Sequence, residues 1–212
     1  FPFQQYAPAA APPPFLFAQM ECFSGDLIVE TIEGPKRMDE LKTGDEVLSI
    51  EESVISFSPI VMFLHRDEEM MAEFNVIMTE NGHTVKLTNE HLIYVGDCDE
   101  PMRTLRLVRA KEVTTDLCFF AAKSPVRKLG IDKVVNITKT YERGIYAPLT
   151  ITGDILVNGV LSSCHSNLAM KILQQSLFSL YRSFSFLLPQ EGGLPLGLEY
   201  LTRALDLFIP TK

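Results

Sequence analysis

The sequence predicts an all-β domain built from two similar β-subdomains related by a pseudo-two-fold, followed by a C-terminal α-helical hairpin. Three observations carry this reading. From Asp26 to Cys164, apolar and polar residues alternate in short runs separated by turn-forming residues. The order of runs in the first half returns in the second. After Cys164 the apolar residues change to a spacing of three and four, the period of a helix.

The chain opens on FPFQQYAPAAAPPPFLFAQM. This stretch has no basic n-region, and its prolines interrupt the apolar run, so it is not read as a secretory signal. Residues 1–21 are expected to form a proline-rich linker to an upstream fragment. DLIVETIEG follows as a strand and turn, and MDELKTGD as a short helical or turn segment. GDEVLSI, SPIVMFLHR, EFNVIMT and TVKLT are expected as four strands, with a hairpin turn at Glu80–His83 between the last two. The second half runs DLCFFAA, DKVVNITKTY, APLTIT and DILVNGVLSS. Asp45-Glu46-Val47-Leu48 overlays Asp116-Leu117-Cys118-Phe119, and the strand HLIYV overlays GVLSSC. Each half then buries its apolar face against the other.

In SNLAMKILQQSLFSLYRSFSFLL, Leu168, Ile172, Leu173, Leu177, Leu180, Tyr181, Phe184 and Leu188 form one stripe. Lys171, Gln174, Gln175 and Arg182 lie opposite. PQEGGLP breaks this helix, and LGLEYLTRALDLF forms a second one. A hairpin of this kind covers something apolar: the β-domain, a greasy ligand or a membrane surface.

Composition narrows the function. The 212 residues carry a net charge of −8 and no basic patch, which argues against nucleic acid. No apolar run reaches the ~18 residues of a membrane span. The cysteines Cys22, Cys98, Cys118 and Cys164 form no CxxC, and the histidines are dispersed, so no metal site is expected. Nucleotide-binding glycine loops are absent, and no cofactor is implied. Cys98 in a polar loop and Cys118 in an apolar strand are read as incidental. His83 is expected to face solvent in its turn, and His165 beside Cys164 is a lesser candidate proton carrier.

Two features acquire meaning together. Cys22 stands where the linker meets the first ordered segment, and Thr88-Asn89-Glu90-His91 separates a strand from HLIYV. A cysteine thiol can attack the carbonyl of the residue before it and convert that peptide to a thioester. Amide resonance opposes the step. A histidine can protonate the leaving nitrogen, and a hydroxyl such as that of Thr88 can orient the amide.

Cys22-Phe23 opening a β-domain, MDELKTGDEVLSI, LTNEHLIYV and GIYAPLTITGDILVNGVLSSC together resemble the hedgehog autoprocessing domain. That domain shares the Hint fold with inteins. The resemblance runs from Cys22 to about His165 and is nearest to the nematode warthog and groundhog group. It implies a Hint domain over residues 22–165 and an adduct-recognition region over residues 166–212. It implies that Cys22 forms the thioester at a scissile Glu21–Cys22 bond, assisted by Thr88 and His91. An alcohol, cholesterol in hedgehog proteins, then releases the upstream fragment as an ester. Cys164 matches the family's late cysteine and is expected close to Cys22, as a disulfide partner or transient acyl carrier. The apolar stripe of the tail, with Leu173, Leu177, Leu180, Tyr181 and Phe184, is expected to bind the adduct. The resemblance also implies a monomer passing through the secretory pathway.

Three departures stand out. Glu21 replaces the glycine of the hedgehog junction. His65 stands where hedgehog proteins carry the aspartate associated with the sterol hydroxyl, and Asp67 lies two places on. The tail shares only helical and apolar character with the family's sterol region. Protein splicing is rejected, because Asn158 is followed by Gly159 and its strand runs on. A rival of another class is a cleavage-inactive Hint scaffold whose tail binds a lipid or partner. A cysteine protease acting on other proteins comes third.

Overall fold

The computed structural model describes residues 21–51, 54–123 and 128–164. All of the expected linker over residues 1–21 except Glu21, the expected helical hairpin with its adduct-binding stripe, and His165 lie outside the described residues. The strands are β1 (Ile28–Thr31), β2 (Gly34–Arg37), β3 (Glu46–Glu51), β4 (Val54–Thr79), β5 (Thr84–Leu87) and β6 (Leu92–Asp97). They continue as β7 (Arg106–Arg109), β8 (Leu117–Lys123), β9 (Lys128–Thr150), β10 (Asp154–Val157) and β11 (Val160–Ser163). Short 3-10 turns occupy Met38–Glu40 and Ala110–Glu112.

All pairings are antiparallel. The path β10-β1-β3-β4-β9-β8-β11 closes on itself, because β11 also pairs with β10. Closure leaves few free edges for other chains to pair with. The internal repeat is visible in the element order: a 3-10 turn, β3, β4, β5 and β6 recur as a 3-10 turn, β8, β9, β10 and β11. The same device holds both turns. Glu40 Oε2 accepts the Arg37 backbone N–H at 3.1 Å, and Glu112 Oε2 accepts that of Arg109 at 3.2 Å.

Several strands differ from the sequence expectation. SPIVMFLHR and EFNVIMT are one strand, β4, and DKVVNITKTY and the first four residues of APLTIT are parts of β9. The two long strands pair with one another, with register shifts at Ile60/Met62, Phe63/His65 and Asp67/Met71. The polar run Asp67-Glu68-Glu69 that reads as a break is such an irregularity. Asp67 Oδ1 accepts the backbone N–H groups of Glu69 and Met70 at 2.9 and 3.0 Å. DLIVETIEG is the first half of a hairpin, whose return strand β2 (GPKR) has no alternating apolar signal.

The main core joins both halves: Phe23, Leu41, Val47, Ile77, Leu87, Ile93, Phe119, Val157 and Cys164 pack together. A second cluster of Leu48, Phe120, Leu156 and Leu161 lies apart from it. Alternation along β10 and β11 explains the pair. Ile155, Val157 and Val160 enter the main core, whereas Leu156 and Leu161 enter the second, so these strands are buried on both faces.

Candidate active site

Residues 22–24 form a short extended piece between two strands. Phe23 donates its N–H to the Tyr146 carbonyl of β9 (2.7 Å) and accepts from the Tyr146 N–H (3.1 Å). On the other side Thr88 N–H donates to the Cys22 carbonyl (3.1 Å) and Ser24 N–H to that of Lys86 (3.3 Å). Phe23 therefore bridges Tyr146 and Leu87, and its buried ring anchors the junction in the core. A polar clasp closes the exit. Ser24 Oγ lies 2.8 Å from Asp26 Oδ1 and 2.6 Å from Glu142 Oε2, with one proton to donate between them, and Lys86 Nζ donates to the same two carboxylates at 2.6 and 2.7 Å.

The TNEH segment is a tight turn, with His91 N–H donating to the Thr88 carbonyl at 3.1 Å. It brings both side chains to the junction. Thr88 Oγ1 accepts the Cys22 backbone N–H at 2.8 Å, so the nitrogen of the Glu21–Cys22 peptide bond is held by the threonine. The His91 ring meets the Phe23 ring edge to face, 4.2 Å between centroids. His91 is only 1% exposed.

The tautomer of His91 follows from its partners. Its Nε2 lies 3.0 Å from the Ser163 carbonyl, which can only accept, so Nε2 carries the proton. The buried Nδ1 makes no hydrogen bond of good geometry. Burial pushes the imidazole down to about 4, against the opposing pull of the Ser163 and Glu21 backbones. The ring is therefore neutral at neutral pH, with an unshared Nδ1 lone pair, and it lies close enough to Glu21 to feel its backbone.

Cys22 is 0% exposed and packs against Phe74, Ile145 and Ala147, with half-buried Leu64, Met70 and Ala72 on the outer side. Burial pushes its thiol well above the usual range, and the Glu21 carboxylate adds to this. The resting group is a thiol and needs a base. Glu21 is itself pushed up to about 7 by burial and by Glu90, against the opposing effect of Arg109.

The other expected residues divide. His65 pairs with Ala147, the same residue that packs on Cys22. It is half-buried, and burial lowers its pKa. Asp67 pairs with Ile145, but its carboxylate is occupied by the two backbone N–H groups of its own turn. Cys164 is buried in the main core, its Sγ 3.6 Å from Thr150 Oγ1, while Cys22 belongs to a different cluster. Both are free thiols.

The disulfide links Cys98 to Cys118 instead, so the reading of those two as incidental is corrected. Their pairing depends on β6 and β8 lying side by side, with Gly96 opposite Cys118, a contact that spacing alone does not reveal. His83 is corrected as well. Its Nδ1 lies 2.6 Å from the buried Asp132, which also accepts from Thr79 and Asn81, and so ties the β4–β5 turn to β9. Asp154 is a buried acid that sequence reasoning missed. It is pushed up to about 8 by burial and accepts the Tyr94 hydroxyl at 2.8 Å. Among the described residues no group of His, Cys, Asp and Glu stands together so as to hold a metal ion.

Comparison with known proteins shows the family and the fold. A match to the Hint module family spans residues 10–191. Warthog protein 6 of Caenorhabditis elegans is 51% identical over 203 residues, covering 90% of this chain and 33% of that protein. Indian hedgehog B protein of Danio rerio is 29% identical over 195 residues, 87% of this chain and 47% of that protein. The chain thus spans about a third to a half of the length of these relatives. The KlbA intein precursor from Methanococcus jannaschii superposes with a TM-score of 0.57 at 14% identity, over 70% of this chain and 94% of that one. The gp41-1 intein gives 0.52 at 15%, over 68% and 98%. At these identities the inteins attest the fold alone.

Proposed function

We propose, on the premise that this chain belongs to the Hint module family as a warthog-like, hedgehog-related member, that it cleaves itself once at Glu21–Cys22 and passes the upstream segment to an alcohol. The observation that carries this is the convergence on one peptide bond. Thr88 Oγ1 holds its nitrogen, the neutral His91 ring lies against the Glu21 backbone, and the thiol of Cys22 belongs to the next residue.

The first step runs as follows. The Cys22 thiol gives its proton to His91 Nδ1, and Sγ attacks the Glu21 carbonyl carbon. The C–N bond breaks, and His91 returns the proton to the Cys22 nitrogen, leaving a thioester and a free amine. An imidazolium with a pKa near 4 is a strong acid for this purpose. Thr88 keeps the amide from rotating as its resonance is lost. In the second step His65, deprotonated at neutral pH, takes the proton of an alcohol whose oxygen attacks the thioester carbon. The C–S bond breaks, and the Cys22 sulfur takes the proton back. His65 and Asp67 both pair with residues that pack on Cys22, and His65 is preferred because Asp67 Oδ1 is engaged by two backbone N–H groups of its own turn.

The acceptor is a sterol or another hydroxyl-bearing lipid or small alcohol. The apolar wall of Leu64, Met70 and Ala72 beside His65 suits such a molecule. The Cys98–Cys118 disulfide supports passage through an oxidising, secretory compartment. Dithiothreitol and exact mass test the scheme. The natural chain releases its leader by thiolysis; Cys22→Ala does not. His65→Ala keeps thiolysis but loses the ester adduct. A chain left at full mass by dithiothreitol is the inactive scaffold, and normal adduct yield in His65→Ala removes that base.

A further inference from the structure

The second apolar cluster is the feature that the cleavage chemistry does not use. Leu48, Phe120, Leu156 and Leu161 form its floor. Ile50, Ile55 and Leu129 flank it and leave a cleft of about 370 Å³ whose rim is Met102 and Leu105. Its lining is apolar except for Lys128. The rim is open to water: Met102 is 73% exposed and Leu105 44%. Phe57, opposite Leu48 on the same face of the β3–β4 hairpin, is 45% exposed. An apolar surface of this continuity marks a binding face rather than scattered surface hydrophobes.

The sequence contains an occupant of matching chemistry. Leu161 of β11 lines the cleft, and residues 165–212 continue from the end of that strand. The run from Ser166 to Leu188 carries the stripe of Leu168, Ile172, Leu173, Leu177, Leu180 and Tyr181. The five residue steps from Leu161 to Ser166 span at most ~17 Å, so the run is tethered beside the cleft. A tether of that length gives an effective concentration of order millimolar, which a second copy or a free ligand must exceed.

We propose that residues 166–188 of this chain dock intramolecularly on the outer face formed by β3, β8, β10 and β11, filling the cleft between Met102, Leu105 and Leu129. This face is distinct from the cluster around Cys22, so the docking stands apart from the cleavage scheme.

Photocrosslinking in the full chain tests this. Cys22→Ala keeps the chain intact, so failure of the cleavage scheme does not affect the readout. Met102→p-benzoylphenylalanine, and separately Leu105→p-benzoylphenylalanine, place the probe on exposed rim positions that bear no folding load. The expected product is monomeric, with its crosslink mapping to residues 166–188. Leu173→Asp together with Leu177→Asp should reduce that product at least roughly tenfold, as expected for losing buried leucines from a tethered contact. A covalent dimer linked through residue 102 or 105 overturns the proposal in favour of a second copy. Crosslinks only to added phosphatidylcholine vesicles overturn it in favour of a lipid surface. Monomer without a crosslink to the tail at either position also overturns it.

Discussion

Asp154 offers the sharpest energetic test, because burial holds its carboxyl far above the usual carboxylate range. It is 9% exposed, and desolvation pushes its pKa from 3.8 up to about 8. The folded state therefore keeps a proton that the unfolded chain surrenders. Below pH 3.8 both states are protonated and nothing is lost. Between 3.8 and about 8 the folded state binds more protons, so stability falls as pH rises, and above about 8 the loss is complete. The slope is ~1.4 kcal/mol per pH unit, which amounts to about 4 kcal/mol by pH 7. Asp154→Asn removes the ionisation and keeps an Oδ1 to accept the Tyr94 hydroxyl. In a Cys22→Ala background it should be the more stable protein at pH 7, by up to about 4 kcal/mol, with the gap closing toward pH 4. Urea unfolding between pH 4.5 and 8 measures this, followed by circular dichroism because the chain has no Trp. Parallel pH profiles for the two proteins would refute the claim that Asp154 is held protonated by its surroundings.

Two further outcomes follow from the junction. Thr88→Val leaves the buried Cys22 N–H without its acceptor, which costs ~1–3 kcal/mol of stability and slows thiolysis, whereas Thr88→Ser retains both; equal thiolysis rates for Val and the parent would remove Thr88 from the first step. Glu21 titrates near 7 and its charge raises the Cys22 thiol, so the thiolysis rate should show an inflection near that pH that Glu21→Gln abolishes; an inflection that persists in Glu21→Gln belongs to another group.

Much of the fold was legible because its strands alternate and its halves repeat. The turn before β3 and the turn before β8 even share a Glu that accepts an Arg backbone N–H three residues earlier. What failed was local signal at irregularities. Asp67-Glu68-Glu69 looks like a loop, yet it is a register shift inside β4, where exposed acidic residues meet solvent and Asp67 satisfies the freed N–H groups. Cys22, Thr88 and His91, singled out through the family resemblance, meet at one junction in the structure. The Cys98–Cys118 bridge, the His83–Asp132 tie and Asp154 were not legible, since each depends on which strands lie side by side. A disulfide or a hydrogen bond between residues far apart leaves no periodic trace.

The burial of Cys22 at first argues against catalysis, because packed hydrocarbon raises the thiol and slows its attack. In the proposed scheme the same packing would keep water from the thioester, and hydrolysis is the side reaction that the second step must outrun. A single-turnover domain can accept a slow first step, since it has no substrate to release and no competitor to outpace. It cannot accept an indiscriminate second one. In the proposed scheme the acceptor approaches at the half-buried edge of Leu64, His65 and Met70, where β4 pairs with β9 beside the Cys22 cluster. There an apolar alcohol would gain by burying its body against the leucine and methionine while its hydroxyl reaches the imidazole, a gain that water would not share.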